Sequence, residues 1–413
     1  MQSHKPVLEQ DEAVGHAVRA GYMYSGMADV AAITGDSSYV RAIDRIWENI
    51  VGKKIYITGG IGARHEGEAF GDNYELPNLT AYNETCAAIG NVYTNYRLFL
   101  LHGDAKYFDV LERTLYNGLI SGVSLDGGRF FYPNPLACDG KYRFNADHTI
   151  TRQPWFGCAC CPSNISRFIP SLPGYVYAVK DDKVYVNLFL SNRAKLKVNG
   201  KNVVLEQETS YPWNGDIRLT VAKGNQPFVM NVRIPGWVRG SVLPGGLYSY
   251  ADGEELAYRV SVNGQEVKGA LQKGYLSIDR RWKKGDVVEI HFDMQPRVVK
   301  ANDKVAADRG RVAIECGPLV YCAEWPDNDF DISTLLLNRH PKFQVVEHPD
   351  LLGGINEITT RAQALSYDAT GRLAAKDVKL TLIPYYAWAH RGEGRMEVWL
   401  PIEVGAASAE LQE

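Results

Sequence analysis

The sequence of 413 residues contains no apolar run of about 18 or more residues, so it predicts no transmembrane helix. It also lacks an excess of basic charge, because 45 Lys and Arg face 48 Asp and Glu, and this excludes the footprint of a nucleic-acid-binding protein. Low-complexity linkers are absent. With 45% hydrophobic and 23% charged residues, the composition excludes a mainly disordered chain and indicates directly packed globular domains.

Residues 1–177 have the periodicity of helices. Apolar residues recur at three- and four-residue steps up to Gly35, a glycine placed to end a helix, and Asp36 or Ser37 can cap the next one. The same plan of long helix, Gly-Asp and second helix returns around Gly103-Asp104. Repeated helical hairpins are typical of toroids and solenoids.

After residue 177 the pattern changes to the two-residue alternation of β-strands, for example in KVYVNLFL, VMNVRI and VVEIHFDM. Asn-Gly pairs at 199–200, 214–215 and 263–264 predict hairpins. Short, frequent strands favour sandwiches. We therefore predict three regions, listed in chain order: a helical region over 1–177 that carries the chemistry, a β-sandwich over 178–296, and a second over 297–413. The last strands could alternatively return to the first sandwich.

The seven cysteines do not form a disulfide framework, because their number is odd and three lie together in WFGCACCPSN. Cys160 and Cys161 are neighbours, and a bond between them would close a strained ring. A reduced pair or a metal site is the better interpretation. Reduced cysteines also favour the cytoplasm. The first residues contain no signal peptide, although a signal upstream of this sequence would allow export.

A metal site would need ligands from a second segment, and Glu84 and Cys86 of NETC provide a carboxylate and a thiol. In a regular helix these two side chains point about 200° apart. Both can reach one ion only at an irregular helix start, for which Asn83 or Thr80 is a credible cap. With Cys160 and Cys161 they would make a set that zinc accepts. Spacing alone leaves open the alternative of small buried cysteines.

Acid–base chemistry on a glycoside needs a carboxyl group, and the loop 64–75 contains four. They are Glu66, Glu68, Asp72 and Glu75. Most acids in such loops are merely solvated, so at most one is expected to act. His16 lies among small apolar residues, where a buried core histidine is the more ordinary interpretation.

Several motifs, in this order and spacing, closely resemble glycoside hydrolase family 127, the β-L-arabinofuranosidase-type enzymes. They are AVGHAVR, YITGGIGARHEGEAF, NETC, SLDGGRFFYPNPL and WFGCACCPSN, followed in the β half by RIPGW, IECGPLVY and IPYYAWAHRG. GCACCP together with NETC is the specific part. The resemblance covers essentially the whole chain.

The resemblance implies a fold, an activity and a set of site residues. The fold would be the C-terminal part of an (α/α)6 toroid followed by antiparallel β-sandwich domains. Glu84, Cys86, Cys160 and Cys161 would hold zinc, Cys160 would be the nucleophile, and Glu68 would be the acid/base. His16 and Tyr132 would contact the sugar. The reaction would release L-arabinofuranose or a related sugar from β-linked glycosides with retention of configuration.

The resemblance also implies that half of the helical toroid is missing from this chain. The expected explanations are a fragment or a mispredicted start, a separate chain that supplies the other half, or a non-catalytic remnant. A half-barrel would expose apolar helix faces, so we expect a homo-oligomer or a complementing half-barrel as partner. Besides the hydrolase, a carbohydrate-binding scaffold and a subunit with a structural zinc site are the alternative functions.

Overall fold

The structure is a computed structural model that describes residues 2–408. Met1 of the predicted region 1–177 and residues 409–413 of the predicted region 297–413 lie outside the described residues. The first part of the chain is mainly helical and the rest consists mainly of antiparallel sheets, and one apolar core runs through both parts.

The described helices, numbered along the chain, are α1 (Ala17–Thr34), α2 (Ser37–Lys53), α3 (Thr85–His102), α4 (Ala105–Thr114), α5 (Cys160–Phe168), α6 (Pro173–Val176) and α7 (Val404–Ser408). The predicted boundary between α1 and α2 is confirmed. Gly35 is left-handed, with φ of 71°, and the Asp36 side chain accepts a hydrogen bond from the Ser38 backbone N–H. Both devices satisfy helix-end groups that have no partner within the helix.

Helix α1 packs closely on α3 because each has a glycine at the contact. A Cβ atom added to Gly21 would lie 2.9 Å from the backbone of Gly90, which is too close for any other residue. This close packing fixes α3 against α1 within the second turn of α3, next to the start of that helix. The functional groups described below depend on that position.

Two sheets follow the helices. The first, in spatial order, contains β11 (Tyr275–Lys283), β7 (Asn225–Arg233), β3 (Lys183–Val186) and β2 (Tyr177–Lys180). The second contains β10 (Gln265–Glu266), β9 (Tyr258–Val262), β12 (Val287–Phe292), β6 (Asp216–Lys223), β5 (Lys201–Thr209) and β4 (Asn192–Val198). Pairing within them is antiparallel except between β3 and β7.

Two of the three Asn-Gly pairs form the predicted hairpin turns. Asn199-Gly200 joins β4 to β5 and Asn263-Gly264 joins β9 to β10, with positive φ at all four residues as such turns require. The hairpin predicted at Asn214-Gly215 is also present, because the antiparallel strands β5 and β6 are joined here, but the pair lies in a loop of more than two residues. There, a Cβ atom on Gly215 would lie 1.9 Å from the carbonyl oxygen of Phe292, so close approach explains that glycine.

A third, branched sheet contains eleven strands. Its main path is β16 (Leu335–Leu337), β18 (Ile355–Tyr367), β19 (Leu373–Pro384), β15 (Leu319–Glu324), β14 (Arg311–Cys316), β13 (Pro296–Ala301) and β8 (Tyr248–Tyr250). Off this path lie β17 (Gln344–His348), β20 (Met396–Glu397), β1 (Ala137–Cys138) and β21 (Leu400–Pro401). The sheet has a second apolar core of its own.

The strand pairing crosses the predicted domain limits. Strand β8 lies within 178–296 but pairs with β13, and β1 of the helical region pairs with β20. The last strands, β18 to β21, pair within the third sheet, so the return to the first sandwich is not observed among residues 2–408. None of the helices in this described part of the chain is both long and apolar enough to span a bilayer.

A buried ion network joins the helices to the first sheet. Arg233 of β7 is fully buried, and its guanidinium lies 2.9 Å from an Asp109 carboxylate oxygen and also contacts Glu112, both on α4. Asp109 is shared with Arg239 at 2.6 Å, and Glu112 accepts a hydrogen bond from Tyr211. A buried pair of this kind is costly to break, because it leaves charges without partners.

We therefore predict that Arg233→Met lowers the free energy of unfolding by about 3–5 kcal/mol, because the buried Glu112 carboxylate loses its arginine and Asp109 keeps only Arg239. Urea unfolding followed by circular dichroism measures this. The matched control is Arg218→Met, since Arg218 forms an exposed pair with Glu289 and should change stability by less than ~1 kcal/mol. Equal losses in the two variants would contradict the structural role assigned to the buried network.

Candidate active site

Glu84 and Cys86 lie at the irregular start of α3 that the sequence analysis requires. Glu84 has extended backbone angles (φ −57°, ψ 136°) immediately before the helix, and Cys86 lies in its first turn. The carboxylate is therefore outside the helical repeat and can point to the same place as the thiol. The expected cap is wrong: neither Asn83 nor Thr80 caps α3, and the Thr85 N–H is bonded to the Tyr132 carbonyl oxygen instead.

Cys160 and Cys161 are the first two residues of α5. Unpaired backbone N–H groups and the helix dipole favour negative charge at this end of a helix, and cysteines placed there ionise more easily. Pro162 follows in the first turn, where its missing N–H costs no helical hydrogen bond. The two helix starts, α3 and α5, thus present their polar ends to one another.

The four side chains form one compact cluster. Their ligand atoms all lie within 4.8 Å of one another. The Cys161 sulfur is 3.5 Å from that of Cys86 and 3.8 Å from that of Cys160, and Glu84 Oε1 is 3.4 Å from the Cys161 sulfur. The structure therefore brings together all four of the predicted metal ligands.

The electrostatics of the cluster fit a bound cation. Burial, then the charge of Glu68, raise the pKa of Glu84 to about 8. In the described part of the chain, the second carboxylate oxygen of Glu84 is buried without a hydrogen-bond partner. Burial also raises the pKa of Cys161, whereas hydrogen bonds from Cys161 and Cys86 lower the pKa of Cys160. A nearby cation would favour the ionised form of every member of the set. One carboxylate and three thiols are thus able to hold a metal ion.

Glu68 is the one acid of its loop that reaches the cluster region. It follows Gly67 in a short 3₁₀ turn, and both residues have positive φ. Its carboxylate is bonded to His16 Nε2 at 2.7 Å and to the hydroxyls of Tyr82 at 2.9 Å and Tyr132 at 3.2 Å. Three partners therefore hold this carboxylate in one orientation.

The neighbouring acids have a structural explanation. Glu75 is bonded to Arg64 at 2.7 Å, and Asp72 lies 3.1 Å from the same guanidinium. Glu66 is exposed. Solvation or pairing with Arg64 thus explains these three acids. Glu68 differs from them because its carboxylate is bonded to a histidine and two tyrosines.

Tyr132 connects the two halves of the site. Its hydroxyl lies 3.0 Å from the Cys160 sulfur as well as 3.2 Å from Glu68 Oε1. Burial raises the pKa of Tyr132, with the hydrogen bond from Cys160 as the next cause, so this phenol remains neutral. The hydroxyl therefore spans the distance between a thiol and a carboxyl group without adding charge.

His16 is half-buried beside Glu68, and burial lowers its pKa, with the charge of Glu68 opposing the shift. Its Nδ1 atom is buried and has no hydrogen-bond partner among residues 2–408. The ordinary interpretation as a core histidine does not fit, because Nε2 contacts a carboxylate at the site. Tyr82 was missed by the sequence analysis. It lies two residues before Glu84 in a non-repeating segment, where no periodic signal marks it.

An open cavity of about 440 Å³ adjoins the cluster. Tyr82, Tyr132 and Cys158 form the wall nearest the site, and His65, Tyr142 and Phe144 add rings around it. Cys158 is exposed and lies 3.9 Å from the Tyr132 hydroxyl, which places this thiol at the rim and outside the four-ligand set. Aromatic walls of this kind suit the faces of sugar rings.

Comparison with known proteins adds three consecutive family matches. Residues 1–174 match the family model described as beta-L-arabinofuranosidase, GH127 catalytic domain. Residues 183–294 match the GH127 middle domain, and residues 296–401 match the glycoside hydrolase family 127 C-terminal domain. The match to the middle domain begins at the first residue of β3, and the match to the C-terminal domain begins at the first residue of β13.

Individual proteins that are similar to this chain support the same family. A non-reducing end beta-L-arabinofuranosidase of Bifidobacterium longum subsp. longum is 37% identical over 96% of this chain and 61% of its own length. A solved GH127 beta-arabinofuranosidase is 76% identical with a TM-score of 0.95, over 98% of this chain and 63% of that one. A GH127 beta-L-arabinofuranosidase from Geobacillus stearothermophilus T6 is 42% identical with a TM-score of 0.89, over 97% and 62%.

The chain thus spans about three fifths of the length of these relatives. Similarity nevertheless extends along nearly all of it, through the helices as well as the three sheets. Because domain matches, identity and backbone agree from one end to the other, the chain belongs to glycoside hydrolase family 127.

Proposed function

We propose that this protein is a retaining glycoside hydrolase that releases L-arabinofuranose, or a related sugar, from β-linked glycosides. The observation that carries the proposal is the Tyr132 hydroxyl, which contacts both the Cys160 sulfur and Glu68 Oε1. The two distances together place the thiol and the carboxylate closer than the roughly 6.5 Å minimum of inverting pairs. A nucleophile and an acid at such a separation favour retention of configuration.

Each half of the proposed reaction needs only side chains of this protein, the glycoside and water. In the first, the Cys160 thiolate forms a bond to the anomeric carbon while the glycosidic C–O bond breaks, and Glu68 gives its proton to the leaving oxygen. In the second, Glu68 takes a proton from water, the water oxygen bonds to the anomeric carbon, and the C–S bond breaks to release the thiolate. Tyr132, Tyr82 and His16 orient the carboxyl group throughout.

We propose zinc as the ion of the cluster, held by Glu84, Cys86, Cys160 and Cys161. The donor set of one oxygen and three sulfurs matches zinc's preference for thiolate and carboxylate ligands. A bound zinc ion would keep the thiols ionised near neutral pH. Such a site requires reduced cysteines, and for this reason we propose the cytoplasm as its location.

The names of the relatives support the choice of sugar. Those of Bifidobacterium longum and Geobacillus stearothermophilus are called beta-L-arabinofuranosidases. The chain retains the complete set of proposed reacting groups within the region that matches the catalytic domain model.

We predict that the purified chain contains about one zinc ion per molecule, measured by atomic emission with a spectroscopic check of thiolate ligation by cobalt substitution. Cys86→Ser and Cys161→Ser should each remove most of the metal, because the site then loses one of only four ligands. Cys138→Ser is the matched control, since Cys138 is buried outside the cluster. Unchanged zinc content in the cluster variants would contradict the assigned ligands.

For turnover, we predict that Cys160→Ser lowers hydrolysis of an activated aryl β-L-arabinofuranoside at least a hundredfold with the fold intact. Glu68→Gln should lose far more activity on poor leaving groups than on activated ones, because only the former need a proton. Steady-state kinetics on both substrate types measure this, and Glu66→Gln is the control. Near-normal activity of Cys160→Ser would refute the nucleophile, and equal losses with Glu68→Gln would refute the acid.

We further propose that the chain associates through apolar side chains on its helical region. Val30 and Ile33 of α1, Leu100 of α3 and Trp155 are all more than a third exposed, and Ile33 is 85% exposed. Exposed apolar surface of this kind marks association sites.

Light scattering of the purified chain should accordingly give a mass above that of one copy, and Ile33→Asp should shift it downward because a charge on the contact opposes association. Leu373→Asp, an exposed apolar position in the third sheet, is the control. A monodisperse monomer with a cooperative melt would contradict association.

A further inference from the structure

A second groove lies on the third sheet and shares no residue with the site described above. It has a volume of about 850 Å³, larger than the cavity beside the cluster. Its origin is an irregularity in strand pairing. Strands β16 and β17 both pair with one edge of β18, but β16 ends opposite Ala362 and β17 begins opposite Thr359.

Residues 360–361 of β18 therefore have no strand partner on that edge. The segment 338–343 connects β16 to β17 and is longer than the gap it crosses, so it bulges outward and forms the groove's rim. The Asn338 side chain fastens this segment by donating a hydrogen bond of 3.0 Å to the Arg361 carbonyl oxygen. The groove is thus formed by the course of the backbone at this edge of the sheet.

The groove carries an excess of positive charge. Arg361 and Lys379 are direct cross-strand partners on β18 and β19, both exposed, and Lys342 adds a third cation on the rim. Like charges directly opposite one another destabilise a sheet. The one carboxylate of the lining, Asp377, accepts a hydrogen bond from Gln363.

Within residues 2–408, none of these three cations has a carboxylate oxygen within 4 Å. An anionic ligand would remove the repulsion between Arg361 and Lys379. Binding of such a ligand would explain why two cations lie opposite one another here, which packing does not explain. Phe343 also lines the groove, where its ring is partly buried against the second core, and Gln344 offers an exposed amide.

We propose that this groove binds an acidic oligosaccharide, with the carboxylate of a uronate residue between Arg361 and Lys379 and a sugar ring against Phe343. The preference for an anion follows from the charges, and the choice of a glycan rests on the proposed hydrolase function. Arginine suits this task because its planar guanidinium binds a carboxylate through two hydrogen bonds. The groove would retain the protein on an acidic polysaccharide while the catalytic site acts elsewhere on the chain.

Calorimetric titration of the full chain with trigalacturonate tests the proposal, with neutral galactotriose as the uncharged probe. We expect trigalacturonate to bind at least tenfold more tightly than galactotriose, and more weakly as salt rises. The double variant Arg361→Gln/Lys379→Gln should lose at least tenfold in trigalacturonate affinity. Lys376→Gln is the matched control, since Lys376 is an exposed lysine on the same strand whose side chain points to the opposite face, and it should bind as the parent does.

Three results would overturn the proposal: equal affinity for the two glycans, undiminished binding by the double variant, or binding of inorganic phosphate or a sulfated trisaccharide as tight as that of trigalacturonate. The double variant should melt at or above the parent's temperature, because it removes a like-charge pair, so lost binding will not reflect lost folding. It should also keep the parent's rate on an aryl arabinofuranoside. Binding and hydrolysis are separate measurements, so failure of the hydrolase proposal would appear as absent turnover with groove binding intact.

Discussion

The burial of the Glu84 carboxylate among three thiols is the constraint around which the helical region is organised. A carboxylate that is almost fully removed from water needs compensation, and its second oxygen has no hydrogen-bond partner among the residues that the structure describes. The chain meets this constraint by directing the starts of α3 and α5 at one point, where helix ends already favour negative charge. The close contact of Gly21 with Gly90 holds α3 in that position. The proposed zinc ion would complete the arrangement of these four side chains.

The acid side of the site is built separately and joined to the cluster by tyrosines. Glu68 comes from a loop, and its orientation depends on His16 at the start of α1 and on the hydroxyls of Tyr82 and Tyr132. Because Tyr132 also meets the Cys160 sulfur, one neutral side chain sets the spacing between the two proposed reacting groups. A loop carboxyl held by three partners from different segments has little freedom to move, and such preorganisation is what acid–base work requires.

The sheets support the site without contributing its proposed reacting groups. Arg233 anchors the first sheet to α4. Arg152 donates hydrogen bonds to carbonyl oxygens of Ser121, Tyr386 and Trp388, which ties the segment that follows β19 to the one leading into α5. The pairing of β1 with β20 joins the helical region to the third sheet through the backbone. The third sheet also carries the basic groove, in a gap that two short strands leave on the edge of β18.

Local patterns in the sequence determined the succession of helices and strands, the cap at Asp36, the two short Asn-Gly hairpins and the residue types of the four ligands, since periodicity, turns and thiol chemistry are properties of neighbouring residues. The motif resemblance added the roles of Glu68, His16 and Tyr132. Tertiary structure decided what depends on residues distant in the chain. It placed Glu84 outside α3, separated Glu68 from the acids paired to Arg64, and brought in Tyr82. It also put Arg361 opposite Lys379, because only packing and strand register decide which distant side chains meet.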